Sequence, residues 1–414
     1  MQTRNVVVRV SLILGAALCA AHAYAAFPDA HDPPPPGWTG PVFKLSQAYP
    51  ATLPKLEPLS RRKWRQFDFK KPADAPKYLQ AVLDYCLEGN TENSFADVSQ
   101  NAVRKWYHAP WLDTTASGRE FIHGMTKERR SQVGELGAAQ TSAHDNWAVG
   151  FYNARGGYTI GQVWKDPAHP DPRKSKFPSN VVACKLLFST APLSQVPFLE
   201  GSFEWQGDIN RQSGTGVRPT LRLLQLDVAV KDSRANSTVG WVFGTFQYEK
   251  AASASANWWD HMVPVGLMWG SDVTNVLASQ PPTQEWINTN RGQQLHIGFR
   301  GLLNGPIDNP RASCTACHGF AQVNRIDGAF PSIPGIPSAT PSTTSITRYF
   351  TNIKAFTPLS PDYYSLDYSL QLQLGIARAV QAGQASLPTG TGVLNGAAGV
   401  EPVAKKIISV TRDQ

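Results

Sequence analysis

Residues 319–414 contain no methionine, no histidine and no cysteine. The chain also has no second C-x-x-C pair, no apolar run past its first residues that could cross a bilayer, no basic run and no evident internal repeat. Each absence narrows the reading. Without a second cysteine pair or clustered histidines, a structural zinc site lacks its ligand set. Lys and Arg are dispersed, so the formal charge of +8 points to acidic redox partners or membrane surfaces and not to nucleic acid, for which no motif is present. With no later stretch near the roughly 20 apolar residues of a spanning helix, no integral membrane segment is expected in the mature chain.

What is present begins with MQTRNVVVRVSLILGAALCAAHAYAAFPDA. Arg4 and Arg9 precede an apolar run from Val10 to about Ala20, and Ala23-Tyr24-Ala25 supplies a small-x-small ending. This is the pattern of a secretory signal peptide, with cleavage expected after Ala25. The apolar run is about half the roughly 20 residues that an uncleaved anchor needs. Leu18 is too bulky for a lipidation signal at Cys19. The mature chain is therefore expected to be soluble and exported, in a periplasm or beyond, and to have lost two positive charges.

Export sharpens the cysteine count. Of five cysteines, removal of Cys19 leaves Cys86, Cys184, Cys314 and Cys317. The last two lie in ASCTACHGFAQ, residues 312–322, with His318 directly behind them. A C-x-x-C-H string reads as a c-type haem attachment site. Two thiols on one turn can add to the two vinyl groups of one haem c, and the adjacent imidazole becomes the proximal iron ligand. A thioredoxin-like pair would want a βαβ setting, whereas this stretch is rich in Asn, Pro, Ser and Gly. Cys86 and Cys184 are then either a disulfide, which an oxidising compartment favours, or two buried thiols, because sequence alone does not give their separation.

The distal side of such an iron is open to two readings. A strong sixth ligand would come from upstream, from Met262 or Met268, or from His108, His123, His144, His261 or His296. Met268 stands in WWDHMVPVGLMWG, residues 258–270, which otherwise reads as an aromatic core strand and turn. His108 and His123 read as ordinary structural or surface residues. Alternatively the iron is five-coordinate with an open face suited to small molecules.

The length suits two domains or one with extensions. Residues 1–25 are the signal peptide and 26–75 a proline-rich arm. Residues 76–270 form a β-rich domain with short N-terminal helices, and 271–414 a haem-attachment segment with a C-terminal helix and tail. Tyr78, Leu79, Val82, Leu83 and Cys86 recur at helical spacing. NWAVGFYN and YTIGQVWK flank Gly156-Gly157 and read as a hairpin. NVVACKLLFST, TLRLLQLDVAVKD and TVGWVFGTFQYEK read as strands, with Leu224, Leu226, Val228 and Val230 on one face and Gln225 and Asp227 on the other. No long helices separate them, so the expected class is mainly β with α (α+β), an antiparallel sheet domain followed by a loop-rich and helical haem segment. LDYSLQLQLGIARAVQA, residues 366–382, reads as an amphipathic helix packed on that segment. Arg311, Arg325 and Arg348 are the arginines that could grip haem propionates.

FPSNVVACKLLF (177–188) followed by DVAVKDSRANSTVGWVFGTF (227–246) resembles the sheet core of a small periplasmic cytochrome family. That family holds the hydroxylamine-oxidising cytochromes whose lysine is cross-linked to haem, and the β-type cytochromes c-prime that bind nitric oxide. The resemblance spans about 70 residues plus the C-x-x-C-H motif. It implies an antiparallel sheet, a c-type haem and a distal pocket lined by side chains, and it sets Lys185 at the lysine of the family's strand pattern. An ordinary strand lysine facing solvent or a carboxylate is the other reading of Lys185. The chain departs from the family in the long segments before Cys314 and after His318. One-electron transfer with a periplasmic redox partner is the expected function. Redox catalysis or gas binding on hydroxylamine, nitric oxide or peroxide at an open iron is the alternative. No motif sets the oligomeric state.

Overall fold

The computed structural model describes residue 27 and residues 46–90, 100–112, 114–115, 118–119, 125–207, 219–292, 295–331 and 340–388. The expected signal peptide, residues 26 and 28–45 of the proline-rich arm, His123 and the residues beyond 388 lie outside the described residues.

Two 3-10 turns, Leu59–Arg61 and Lys63–Gln66, bury Trp64 and lead into helix α1 (Ala75–Leu87). Pro76 sits in its first turn, where a missing N–H costs nothing. Tyr78, Leu79, Val82, Leu83 and Cys86 form its buried stripe. Strand β1 (Trp106–Tyr107), the small pair β2 (Thr114–Thr115) and β3 (Gly118–Arg119), and β4 (Thr126–Lys127) precede the long β5 (Asn146–Asn153). Helix α2 (Ala154–Val163) follows at once. Then come β6 (Val182–Ser189), β7 (Glu204–Gln206), β8 (Thr220–Lys231), β9 (Trp241–Tyr248) and β10 (Met262–Met268). A short α3 (Val273–Leu277) and β11 (Glu285–Ile287) complete this part.

These strands build a nine-stranded antiparallel sheet in the order β1-β5-β6-β8-β9-β10-β11, with β4 also pairing β5 and β7 also pairing β8. The rest of the chain adds α4 (Cys314–Gly319), β12 (Gln322–Asn324), α5 (Thr343–Phe350), β13 (Tyr363–Ser365) and α6 (Leu370–Gln381). The class is α+β, mainly β. Among the described residues no helix is long and apolar enough to cross a membrane.

Period-two alternation explains why the sheet is covered on both sides. Leu224, Leu226, Val228 and Val230 of β8 join α1 in one core. Trp241 and Phe243 of β9 join α4, α5 and α6 in the other. Gln225, Asp227 and Lys231 share the strand face that looks toward this second core. Gln373 of α6 locks that layer by donating to the Phe320 and Gln322 carbonyls, both at 2.8 Å. On the α1 side, Cys86 and Cys184 form a disulfide with Cα atoms 6.3 Å apart. It closes a loop of 98 residues, which in the chain-entropy account contributes about 4–5 kcal/mol.

The hairpin expected at Gly156-Gly157 is not formed; the glycines belong to α2. Asn153 ends β5 as an N-cap, its side-chain oxygen accepting the Gly156 N–H at 3.2 Å. The glycines serve close packing rather than a turn. A Cβ on Gly157 would stand 2.5 Å from the Tyr107 ring. Gly157→Ala therefore lowers stability by about 1–3 kcal/mol through overpacking, although Ala is the better helix former by about 1 kcal/mol. A urea midpoint raised by this substitution would contradict the packing argument.

Candidate functional site

Helix α4 begins because Ser313 caps it, its hydroxyl accepting the Ala316 N–H at 3.3 Å. With 3.6 residues per turn, positions 314, 317 and 318 fall on one face. Thr315 and Ala316 turn into the core. The Thr315 hydroxyl pairs with Ser271 Oγ at 2.6 Å and lies 3.8 Å from Met268 Sδ. Met268 is fully buried and meets the helix through Thr315, away from the face that carries the cysteines and histidine.

His318 has a defined tautomer. Its Nδ1 is 2.8 Å from the Tyr368 carbonyl oxygen. A carbonyl only accepts, so Nδ1 carries the proton and Nε2 keeps its lone pair. Nε2 has no hydrogen bond among the described residues. Burial lowers the pKa of His318 to about 4, against a smaller opposing effect of the Tyr368 carbonyl, so the ring is neutral near pH 7. Phe243 packs on it with ring centroids 4.7 Å apart. Both motif cysteines are free thiols. Cys317 Sγ is 3.2 Å from the Tyr349 hydroxyl, and burial pushes its pKa up to about 11. Cys314 Sγ is 3.8 Å from Asn304 Oδ1; burial, helped by Asp227 and Asp308, raises its pKa well above that of an ordinary thiol.

The same sheet face brings ionisable side chains to this helix. In register across β5, β6, β8, β9 and β10 lie Gly150, Lys185, Asp227, Thr245 and Gly266. Lys185 Nζ pairs with Glu128 at 3.1 Å. Asp227 accepts from Thr245 Oγ1 at 2.8 Å and from Gln225 Nε2 at 2.9 Å. The same Gln225 amide donates to Asp308 at 3.0 Å, which ties the two carboxylates together. Arg129 holds the Asp308 loop by donating to the Ile307 and Asp308 carbonyls. Burial, then the nearby Asp308 charge, raises the Asp227 carboxyl to about 7. Burial works to lower the Lys185 pKa, but Glu128, Asp308 and Asp227 outweigh it and keep the ammonium charged.

Cys314, Cys317 and His318 keep accessible surface, and the Lys185 side chain keeps 30 % of its own. Yet desolvation is the largest influence on the protonation of all four.

The other candidate ligands are spread out. Met262 is buried in the core on the α1 side of the sheet. His261 has carbonyls at both ring nitrogens, Lys250 at 3.0 Å and Ser255 at 2.8 Å. His108 Nδ1 contacts the Gly150 carbonyl at 2.7 Å, and His144 Nε2 contacts Gln195. His296 lines a cleft of about 540 Å³ with Glu135 and Pro310. Arg325 donates to the Tyr363 carbonyl and stacks over Tyr364. Among the described residues no group of three or more His, Cys, Asp or Glu side chains could hold a metal ion by itself.

Sequence reasoning did not find Glu128, Asp308 or Tyr368 as partners of the motif, because strand register and loop docking bring them in from far along the chain. Nor did it find Glu285, on the same sheet face beside Met268. Burial raises Glu285 to about 8, partly offset by the Leu303 N–H that it accepts at 2.8 Å. No protein-family model, curated protein or solved structure matches the chain.

Glu285 gives a pH prediction. Between its ordinary value of 4.5 and about 8 the unfolded chain has released this proton while the folded chain still holds it. Stability therefore falls as pH rises through that window and levels off above it. Glu285→Gln keeps an acceptor for Leu303 and removes this contribution, so the variant gains on the parent as pH rises from 5 to 8. Parallel urea midpoints for the two proteins across that range would refute the assignment.

Proposed function

We propose that the chain is an exported monohaem c-type cytochrome acting by one-electron transfer with a periplasmic redox partner. Cys314 and Cys317 would hold the haem through thioethers, and His318 Nε2 would be the proximal iron ligand. The observation that carries this reading is the state of the donor set: two free thiols and an imidazole share one helix face, and the imidazole is held neutral with its proton on Nδ1. That tautomer leaves the nitrogen an iron would need. When bound, the haem supplies an iron that alternates between ferric and ferrous. The protein's own part is to hold the imidazole, exclude water with Phe243, Tyr349 and Tyr368, and set the surrounding charge.

A specific observation favours the second reading, chemistry on a small nitrogen or oxygen species. A pure relay has no need of proton-handling groups, but here Asp227 has a pKa raised to about 7 and shares Gln225 with Asp308 beside Lys185. A carboxyl poised near neutrality can take or return a proton during substrate oxidation. Lys185 also stands at the lysine of the family's strand pattern. Met268, its sulfur beneath Thr315, is not aligned with the face of the motif.

Co-expression with a cytochrome c maturation system should yield a coloured protein whose haem survives acid–acetone extraction. The Cys314→Ala/Cys317→Ala variant should lose that haem. A colourless wild type, or one stripped by acid–acetone, would end the cytochrome reading. Rapid carbon monoxide uptake by the reduced protein is expected of an open iron, and inertness would return the function to electron relay alone.

A further inference from the structure

The carbonyl that fixes His318 belongs to an unusual piece of backbone. Leu366 and Ser369 close a turn, the Ser369 N–H donating to the Leu366 carbonyl at 3.0 Å. Its two central residues, Asp367 (φ 49°) and Tyr368 (φ 72°), are both left-handed. Aspartate tolerates this region, but a bulky aromatic residue there costs about 1–2 kcal/mol and persists only where its surroundings impose it. The imposing contacts are present. Asp367 is fully buried and accepts from Lys231 Nζ at 2.6 Å, Trp241 Nε1 at 3.2 Å and the Phe177 N–H at 2.8 Å. The Tyr368 hydroxyl is tied to the Ile353 carbonyl. On the following residue, Ser369 Oγ meets the Tyr152 hydroxyl at 2.8 Å and caps α6.

We propose that Asp367, clamped by Lys231 and Trp241, is a positioning residue for the proximal ligand: it holds the strained turn so that the Tyr368 carbonyl stays aimed at His318 Nδ1. This inference rests on the haem reading of α4 and adds to it a determinant of the iron's electronics. Strands β8 and β9 supply the clamp, so the sheet sets the imidazole's hydrogen bond at one remove. A firm Nδ1–H···O=C bond increases imidazole basicity and stabilises the ferric iron. A slack bond does the reverse.

The test uses Asp367→Asn and Lys231→Met in the holoprotein, with covalent haem loading checked in each. Asn keeps the side-chain volume and one acceptor oxygen, enough for Trp241 or for Phe177 but not for both, and is still the milder change to folding. The clamp predicts that both variants raise the reduction potential and lower the iron–histidine stretching frequency of the ferrous protein. Simple charge effects predict opposite shifts in potential, upward on losing the Asp367 charge and downward on losing that of Lys231. Shifts of opposite sign, or none in the folded variants, overturn the proposal. If the wild type binds no haem, the cytochrome reading fails by itself. The positioning role is then read from the His318 ¹⁵N shifts of the haem-free protein. A single Nδ1-protonated tautomer in the wild type that becomes mixed in both variants supports the clamp, and an unchanged tautomer overturns it.

Discussion

A sheet covered on both faces has no water to spare for the polar side chains it presents, so each must find its partner inside the protein. Strand β8 shows how that constraint organises the molecule. Its outward-alternating residues Leu224, Leu226, Val228 and Val230 need only apolar neighbours, and α1 provides them. Its other face carries Gln225, Asp227 and Lys231, and each has a defined partner. Gln225 spans two carboxylates, Asp227 takes the Thr245 hydroxyl, and Lys231 takes Asp367. The segment after β11 is thereby fastened to the sheet by polar contacts as well as by packing, and the C-x-x-C-H helix is held between these two anchor points.

The two anchors differ in kind. Lys231 with Asp367 is a fixed ion pair whose carboxylate has all its donors in place. Asp227 stands beside the Asp308 carboxylate, shares one amide with it and lies near one lysine, and it is Asp227 that can change protonation near neutrality. One anchor gives rigidity on the histidine side of the helix. The other gives a labile proton on the side of Cys314. Charge placed in a low-dielectric interior is costly unless paired, so the two sides of the helix differ: one carries a paired charge and the other an under-compensated one.

Much of the fold was legible because alternation and turn composition are local signals. The strands β6, β8 and β9 and helix α1 stand where period two or period 3.6 put them, and so does helix α6 from Leu370 on, whereas residues 366–369 at the start of the expected helix form a turn. Gly156-Gly157 misled because paired glycines signal a turn only when backbone freedom is their purpose. Here Gly157 clears space for the Tyr107 ring and Gly156 for Tyr152, and a cap at Asn153 outweighs the turn signal. The grouping of Cys314, Cys317 and His318 on one face follows from spacing alone. Their partners do not. Tyr368 reaches His318 through two residues with positive φ, a conformation that Asp and Tyr do not announce in sequence. Lys185 meets Asp227 only through the register of β6 on β8.

The disulfide bears on how such a chain could be assembled. Both of its sulfurs lie well ahead of Cys314 in the sequence. A polypeptide delivered N-terminus first into an oxidising space therefore exposes Cys86 and Cys184 while the later thiols are still behind. Early closure of that bond removes every crossed pairing among the four cysteines. The remaining hazard is local, oxidation of Cys314 with Cys317, and a reductant acting on that one pair would be enough to keep both as thiols.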